Sequence, residues 1–472
     1  MDYKTIFAFN GIQRQVSPFL TGDGDLSESQ NTVIKKIGTL KKSFDYTVKG
    51  SQLTEEYSVN GGIDFYRNDG THDHVVSVNG DTNSEIYIHD TDWTDQAQNL
   101  AKDYRIRFAY SPTIDTLFAC NYADATRSYD GSSWSTATDV TDSPKAKYAF
   151  SFGDRIYLLN CSVDGTSYPS RAYRSSAIET EATWDTVNDY IVFNDVINGV
   201  SMNGENLFVA CQSSTHIFTL DDEKFQVSNT GCVSHESLAQ YSNFTFYASR
   251  NGFYAFDGSN TFKVSTPIQE YWDKIPEANT ENIQAVSLGD HVYVYIGDIE
   301  APWDSSQTLQ NVIFDYNALQ NNWSRGRLAS DCTNLHTYVT TSGRSVFMGD
   351  SSGYVYTMFD GSGQQDGSDY SSFIETPWIY GTGAGVLDDF KELWGYGDKL
   401  SGFQVLYKTE EVGNWNSIGE LNEDTDVVKF NTRSYKIKFR LQEYSGENLY
   451  ELSRLDVGWE PAYERYEDRT RE

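Results

Sequence analysis

Cysteine is scarce in this chain, 5 among 472 residues, and the count is odd with no Cys-x-x-Cys spacing. A disulfide framework is excluded on those grounds. Cys120, Cys161 and Cys211 end the similar phrases DTLFAC, DRIYLLNC and NGENLFVAC. Three thiols at the same point of well-separated segments read as small hydrophobes near the ends of buried strands, not as redox or metal groups. No run of about 18 apolar residues is present to cross a membrane as a helix, so no membrane insertion is expected. The start, MDYKTIFAFNGIQRQ, lacks the basic-then-apolar pattern of a secretory signal. Synthesis in a reducing cytoplasm is the corresponding expectation. Basic residues are also few: 36 Lys and Arg face 68 Asp and Glu, a formal net charge of -32. That sign is the reverse of what phosphate neutralisation needs, so sequence-specific DNA binding is not expected.

Aromatic residues and glycine are plentiful. With 33 Tyr, 26 Phe and 36 Gly, the composition is that of a β-rich protein with many tight turns. Seven short apolar strands follow turns: DHVVSV at His74, DTLFAC at Thr116, DRIYLLN at Arg155, ENLFVAC at Asn206, SNFTFYA at Asn243, DHVYVYI at His291 and GRSVFMG at Arg344. Their mean step is about 45 residues, the length of a four-stranded propeller blade. A second strand follows each at a similar delay, centred on Tyr87, Tyr129, Tyr173, Phe218, Phe256, Phe314 and Tyr356. Asp130-Gly131, Asp257-Gly258 and Asp360-Gly361 are hairpin turn signals. An aromatic residue then opens the next strand in several copies: Trp93, Trp134, Trp184, Phe262 and Trp323.

The fold class is therefore all-β, with a β-propeller over 44–371. Seven anchors give seven blades, with six or eight if an anchor is miscounted. Leu117, Ile156, Leu207, Val292 and Val346 are expected on corresponding strands, facing the core between blades. The segment 44–59 is strand-like and is a candidate to close the ring from the N-terminal side. Beyond residue 372 the rhythm changes to alternating strands without the anchor phrase, read as an antiparallel β-sandwich over 372–461. Residues 462–472 form a charged tail carrying Tyr463 and Tyr466. Residues 1–43 are turn-rich and read as an arm. Phe7, Phe9, Pro18, Phe19 and Leu20 of that arm, with Tyr463 and Tyr466, are the candidate contacts to neighbouring subunits or proteins. The other reading is that the arm folds back on its own propeller and the tail is simply solvated.

The phrases SPFL, QN and GTLKK near the start, NGENLFVACQSSTHIFTL and VIFDYNALQNNWSRG in the repeats, and LYELSRLDVGW near the end together resemble the propeller-containing tail nozzle, or head-to-tail stabilisation, proteins of short-tailed bacteriophages. The resemblance covers most of the chain as an order of parts. It implies a homo-oligomer, a hexameric ring below the portal and adaptor, located in the virion tail. Such a ring surrounds passing double-stranded DNA without reading its sequence and guides its ejection. The family brings no catalytic residue and no cofactor. A sixfold ring would carry roughly -190, and an acidic lumen would let DNA slide without sticking. Ordinary solubility is the other account of that charge.

Two further function classes stay open: a receptor- or glycan-binding propeller, and a sialidase-like glycosidase. SYDGSSW (128–134) approximates the Asp-box turn of sialidase propellers but lacks the residue between Asp and Gly. A glycosidase would show a pocket with clustered Arg and an activated Tyr or Glu. Other chemical signals are weak. His72 and His74 share a strand face without obvious partners for a metal, and a solvated turn is expected there. GDGDLSE (22–28) does not meet the calcium-loop spacing, and GTGAGVLDDF (381–390) has no P-loop lysine.

Overall fold

Short β-prone runs separated by Asp, Asn and Gly turns can satisfy their backbone groups only by pairing with the next run, and most strands here pair that way. The structure, a computed structural model, describes residues 1–15, 21–36, 38–54, 56–135, 143–175, 184–341, 343–400, 402–410, 413–421, 426–444 and 449–462. The chain forms two compact units. One comprises Tyr46–Ala318 and Leu328–Asp360; the other comprises Met1–Asp45, Leu319–Arg327 and Gly361–Glu472.

The first unit is a β-propeller. Its described residues form seven antiparallel sheets in chain order, each one blade. The first strands of the blades are Val59–Tyr66, Arg107–Ser111, Lys145–Phe152, Ile197–Asn203, Ala239–Tyr241, Gln284–Leu288 and Asn334–Thr340. Most of these pack against the first strands of the neighbouring blades and so ring the axis. All seven apolar anchors fall on second strands, and the seven following aromatic residues fall on third strands. Leu117, Ile156, Leu207, Val292 and Val346 lie on second strands and are buried. Leu117, Ile156 and Leu207 belong to cores shared by adjacent blades. Blade seven takes its fourth strand from the other end of the repeat: Tyr46, Thr47 and Val48 pair with Met358, Thr357 and Tyr356. Leu53, Val59, Val76, Val78 and Tyr87 meet Phe347 and Val355 in the core behind that seam. The segment 44–59 thus supplies the closing strand.

The cysteines sit where small hydrophobes were expected. Cys120 and Cys161 share the core between blades two and three, Cys211 lies between three and four, and Cys232 between four and five. All five are free and buried. Burial pushes the thiols of Cys120, Cys211 and Cys232 up to about 12.

The second unit is a sandwich of two sheets. One runs Val427–Ser434, Asp388–Asp398, Glu451–Pro461, Thr39–Lys42, Thr32–Lys36, with Asp2–Phe7 also paired to Glu451–Pro461. The other runs Asn416–Leu421, Phe403–Thr409, Ile437–Glu443, Ser372–Glu375, Glu28–Gln30. Ile6, Phe9, Leu26, Ile34 and Leu40 share one core with Ile374, Phe390, Phe439 and Leu455. The N-terminal segment is therefore not an arm. Its strands are two to six residues long, and most of their partners lie hundreds of residues away, so no local pattern announces them. The sandwich draws on both ends of the chain, not on 372–461 alone.

Candidate functional site

The first strands of the blades surround the axis, so residues at their entries from several blades can meet. They do so in a cavity of about 580 Å³ lined by residues of blades two to six, including Arg105, Arg107, Lys147, Tyr148, Asn160, Asn198, Ser234, His235, Glu236 and Asn282. A second cavity of about 400 Å³ shares Arg105 and Asn282 and adds Ser58, Asp331 and Thr333. Together the two draw residues from all seven blades.

Glu236 anchors the first cavity. Its Oε1 accepts from Arg107 Nε at 2.7 Å, and Arg105 Nε stands 3.8 Å away. Burial works against the Glu236 charge, but Arg107 and Arg105 hold its carboxyl far below the usual carboxylate range. Arg107 lies 4.9 Å over the Tyr148 ring and donates from Nη1 to Lys147 O at 3.5 Å. Arg105 donates from Nη2 to Thr333 O at 3.1 Å, while its Nη1 is buried with no hydrogen-bond partner. Burial, with Arg107 beside it, lowers the Lys147 ammonium, and among the described residues Lys147 has no ion-pair partner. The His235 imidazole is driven down to about 4 by burial and its Nδ1 accepts from the Val200 N–H at 3.3 Å. The lining therefore sets Arg105, Arg107 and Lys147 against Glu236, Asp103 and Glu281, with a neutral histidine among them.

No family model matches the chain, and no curated protein matches it. Solved structures similar to it include Sqt1 of Saccharomyces cerevisiae, with a TM-score of 0.40 and 8% identity over 67% of this chain and 98% of that one. Another is the WD40 β-propeller domain of Doa1, with a TM-score of 0.41 and 10% identity over 67% of this chain and 97% of that one.

Of the contact residues expected from the sequence, the two that are described, Phe7 and Phe9, do not line this cavity. Phe9 is 1% exposed and belongs to the sandwich core, which removes it as a contact to a neighbour. Phe7 ends a strand opposite Arg454 and is 64% exposed. Pro18, Phe19, Leu20, Tyr463 and Tyr466 lie outside the described residues. His72 and His74 are in a strand, not a solvated turn. His72 Nδ1 is 2.8 Å from Asp64, and His74 Nε2 is 2.6 Å from His336 Nε2. The SYDGSSW turn is structural: Asp130 accepts from the N–H groups of Ser132 and Ser133, Gly131 takes φ 89°, and Trp134 stacks on Tyr129. Asp257 and Gly258 repeat the device.

Sequence reading missed Arg105, Arg107, Lys147 and Glu236 because it anchored on second strands. A signal was present. RIRFAYS (105–111) and KAKYAFS (145–151) are the same phrase, basic-apolar-basic-aromatic-Ala-aromatic-Ser, at the entries of successive blades.

Proposed function

We propose that the chain is a structural subunit of a bacteriophage tail, one of six in a ring that encircles the DNA path next to the portal and adaptor, and that it is not an enzyme. The observation that carries this reading is where the resembling phrases fall. Gln30-Asn31, Gly38–Lys42 and Leu449–Trp459, from the two ends of the chain, belong to the sandwich unit together with Leu319–Gly326 of the last repeat phrase, while Asn203–Leu220 and Val312–Ala318 belong to the propeller unit. Asn31 N–H donates to Arg325 O at 2.8 Å, and Arg325 Nε is 3.1 Å from Glu28 Oε1. Lys41 and Leu40 pair with Glu451 and Leu452. The phrases from the two ends of the chain meet in one packed unit, which supports reading them as parts of one inherited fold. The net charge of -32 suits a conduit that must not hold DNA.

Virions of the phage that encodes the chain, probed with an antibody against it, should be labelled on the tail. Its absence from purified virions contradicts the proposal. The axial cavity favours one second reading, a propeller that binds an acidic sugar, because two arginines face one space. Hydrolysis is less well supported: burial raises the Tyr148 phenol, the opposite of an activated nucleophile. Turnover of a fluorogenic sialoside would overturn the non-enzymatic part of the reading.

A further inference from the structure

We propose that the contact between blades one and seven is an acid-operated latch, in which protons captured by His74 and His336 hold this one interface open while the contacts between the other blades stay closed. His74 lies on His72–Asn79, the second strand of blade one, and His336 on Asn334–Thr340, the first strand of blade seven; both are buried. Their Nε2 atoms are 2.6 Å apart, so one ring donates and the other must accept. Asn334 Oδ1, 2.7 Å from His336 Nδ1, makes His336 the acceptor. A proton added at His336 Nε2 sets two N–H groups against each other. One added at His74 Nδ1 meets no acceptor, because that atom is buried without a hydrogen-bond partner among the described residues. The closed seam therefore has no place for a third proton, and the open seam has two.

The neighbouring elements do not offset the added charge. His74 stacks on Tyr338 at 4.4 Å, with Phe347 at 4.6 Å and Trp93 at 5.1 Å. Lys49 Nζ stands 4.8 Å over the rings of Tyr338 and Phe347, and His89 lies opposite His74 in the register. Asp64 faces His74 across the first strand, but His72 Nδ1 at 2.8 Å and the Val339 N–H at 3.2 Å take up its oxygens. Burial lowers both imidazoles, and Lys49 lowers them further. The chain has seven histidines, and the other five each have a carboxylate that acts on them. Asp64 serves His72 and Asp315 serves His291, both at 2.8 Å; Asp92, Asp195 and Glu236 favour the charged forms of His89, His216 and His235. Two rings sharing one hydrogen bond with no counter-charge make the seam the contact that acid opens first. The latch does not rest on the tail reading, because a single copy contains all of it.

The test is hydrogen exchange of the full chain at pH 7.5 and at pH 5, each rate divided by that of an unstructured peptide at the same pH. Exposed imidazoles titrate near about 6.5, so each ring favours opening by up to roughly tenfold per pH unit below that value. Protection of 72–78 and 334–340 should fall by up to roughly a thousandfold at pH 5, that of 197–211 and 244–256 by less than about tenfold, and return to pH 7.5 should restore the seam. In His336→Gln one ring remains, and the fall at the seam should be no more than about thirtyfold. If circular dichroism shows that this variant is unfolded at pH 7.5, the comparison of segments within the native chain decides the question. No fall at the seam, a fall as large in 197–211 or 244–256, or the same fall at the seam in folded His336→Gln overturns the proposal.

Discussion

Lys42 and Glu443 are both fully buried, 2.8 Å apart, inside the sandwich unit. Removing one partner of such a pair strands the other, so Lys42→Met should cost about 3–5 kcal/mol. Adding Glu443→Leu should recover most of that loss, as measured by urea denaturation of the two single variants and the double. Close packing sets a different limit at Gly349, where a Cβ would collide with the side chain of Val59 across the ring seam. Gly349→Ala should therefore destabilise the propeller by about 1–3 kcal/mol, read from the same measurement. The five cysteines carry a third expectation. Buried thiols whose ionisation is pushed up present almost no thiolate, so a thiol reagent at pH 8 should label none of them until denaturant is added. Fast labelling of Cys120 or Cys211 in the native chain would contradict their placement.

The seam between blades one and seven is the element on which closure depends. His336 Nδ1 is 2.7 Å from Asn334 Oδ1, so it donates there and leaves Nε2 to accept from His74 Nε2–H at 2.6 Å. Both rings are neutral in that arrangement. Burial drives both imidazoles down, His336 to about 3, with Lys49 adding to the effect on each. In the unfolded chain they titrate near about 6.5. Below that pH the unfolded state binds the extra protons. The stabilisation is therefore complete above about 6.5 and is lost as pH falls toward 3, by up to about 1.4 kcal/mol per histidine per pH unit. Urea midpoints at pH 7.5 and 5 should fall steeply for the native chain and less for His336→Gln; equal slopes contradict the account.

At this scale the sequence was half legible. Second and third strands announce themselves because both faces are buried between blades, so their apolar runs are dense. First strands do not. Neighbouring blades crowd the axis, and residues such as Gly61 and Gly62, whose Cβ atoms would meet Ile106 and His336, replace the bulky phrase. The cations of the axial cavity enter on those same strands and their entries, and were missed for the same reason. The N-terminal strands were missed because a three-residue strand such as Glu28–Gln30 takes its register from Ser372–Glu375, not from anything adjacent in the chain.

For the whole molecule, the division into two units changes what a truncation would do. Deleting residues 1–40 removes strands from both sheets of the sandwich unit and leaves Tyr46–Val48 to close the ring. Hydrogen exchange should show 388–461 losing protection while the propeller strands keep theirs; protection retained in both units contradicts the fold described above. The net charge belongs to this scale as well. In an assembled ring the excess of acids should collect toward the axis, where its reach is about 8–10 Å, and subunit contacts should exclude unpaired carboxylates. Electron cryo-microscopy of the purified full chain tests the central claim most directly. The account predicts closed sixfold rings around an axial hole lined by more acids than bases; a chain that stays monomeric at every concentration and salt, or a ring with a basic lumen, would contradict it.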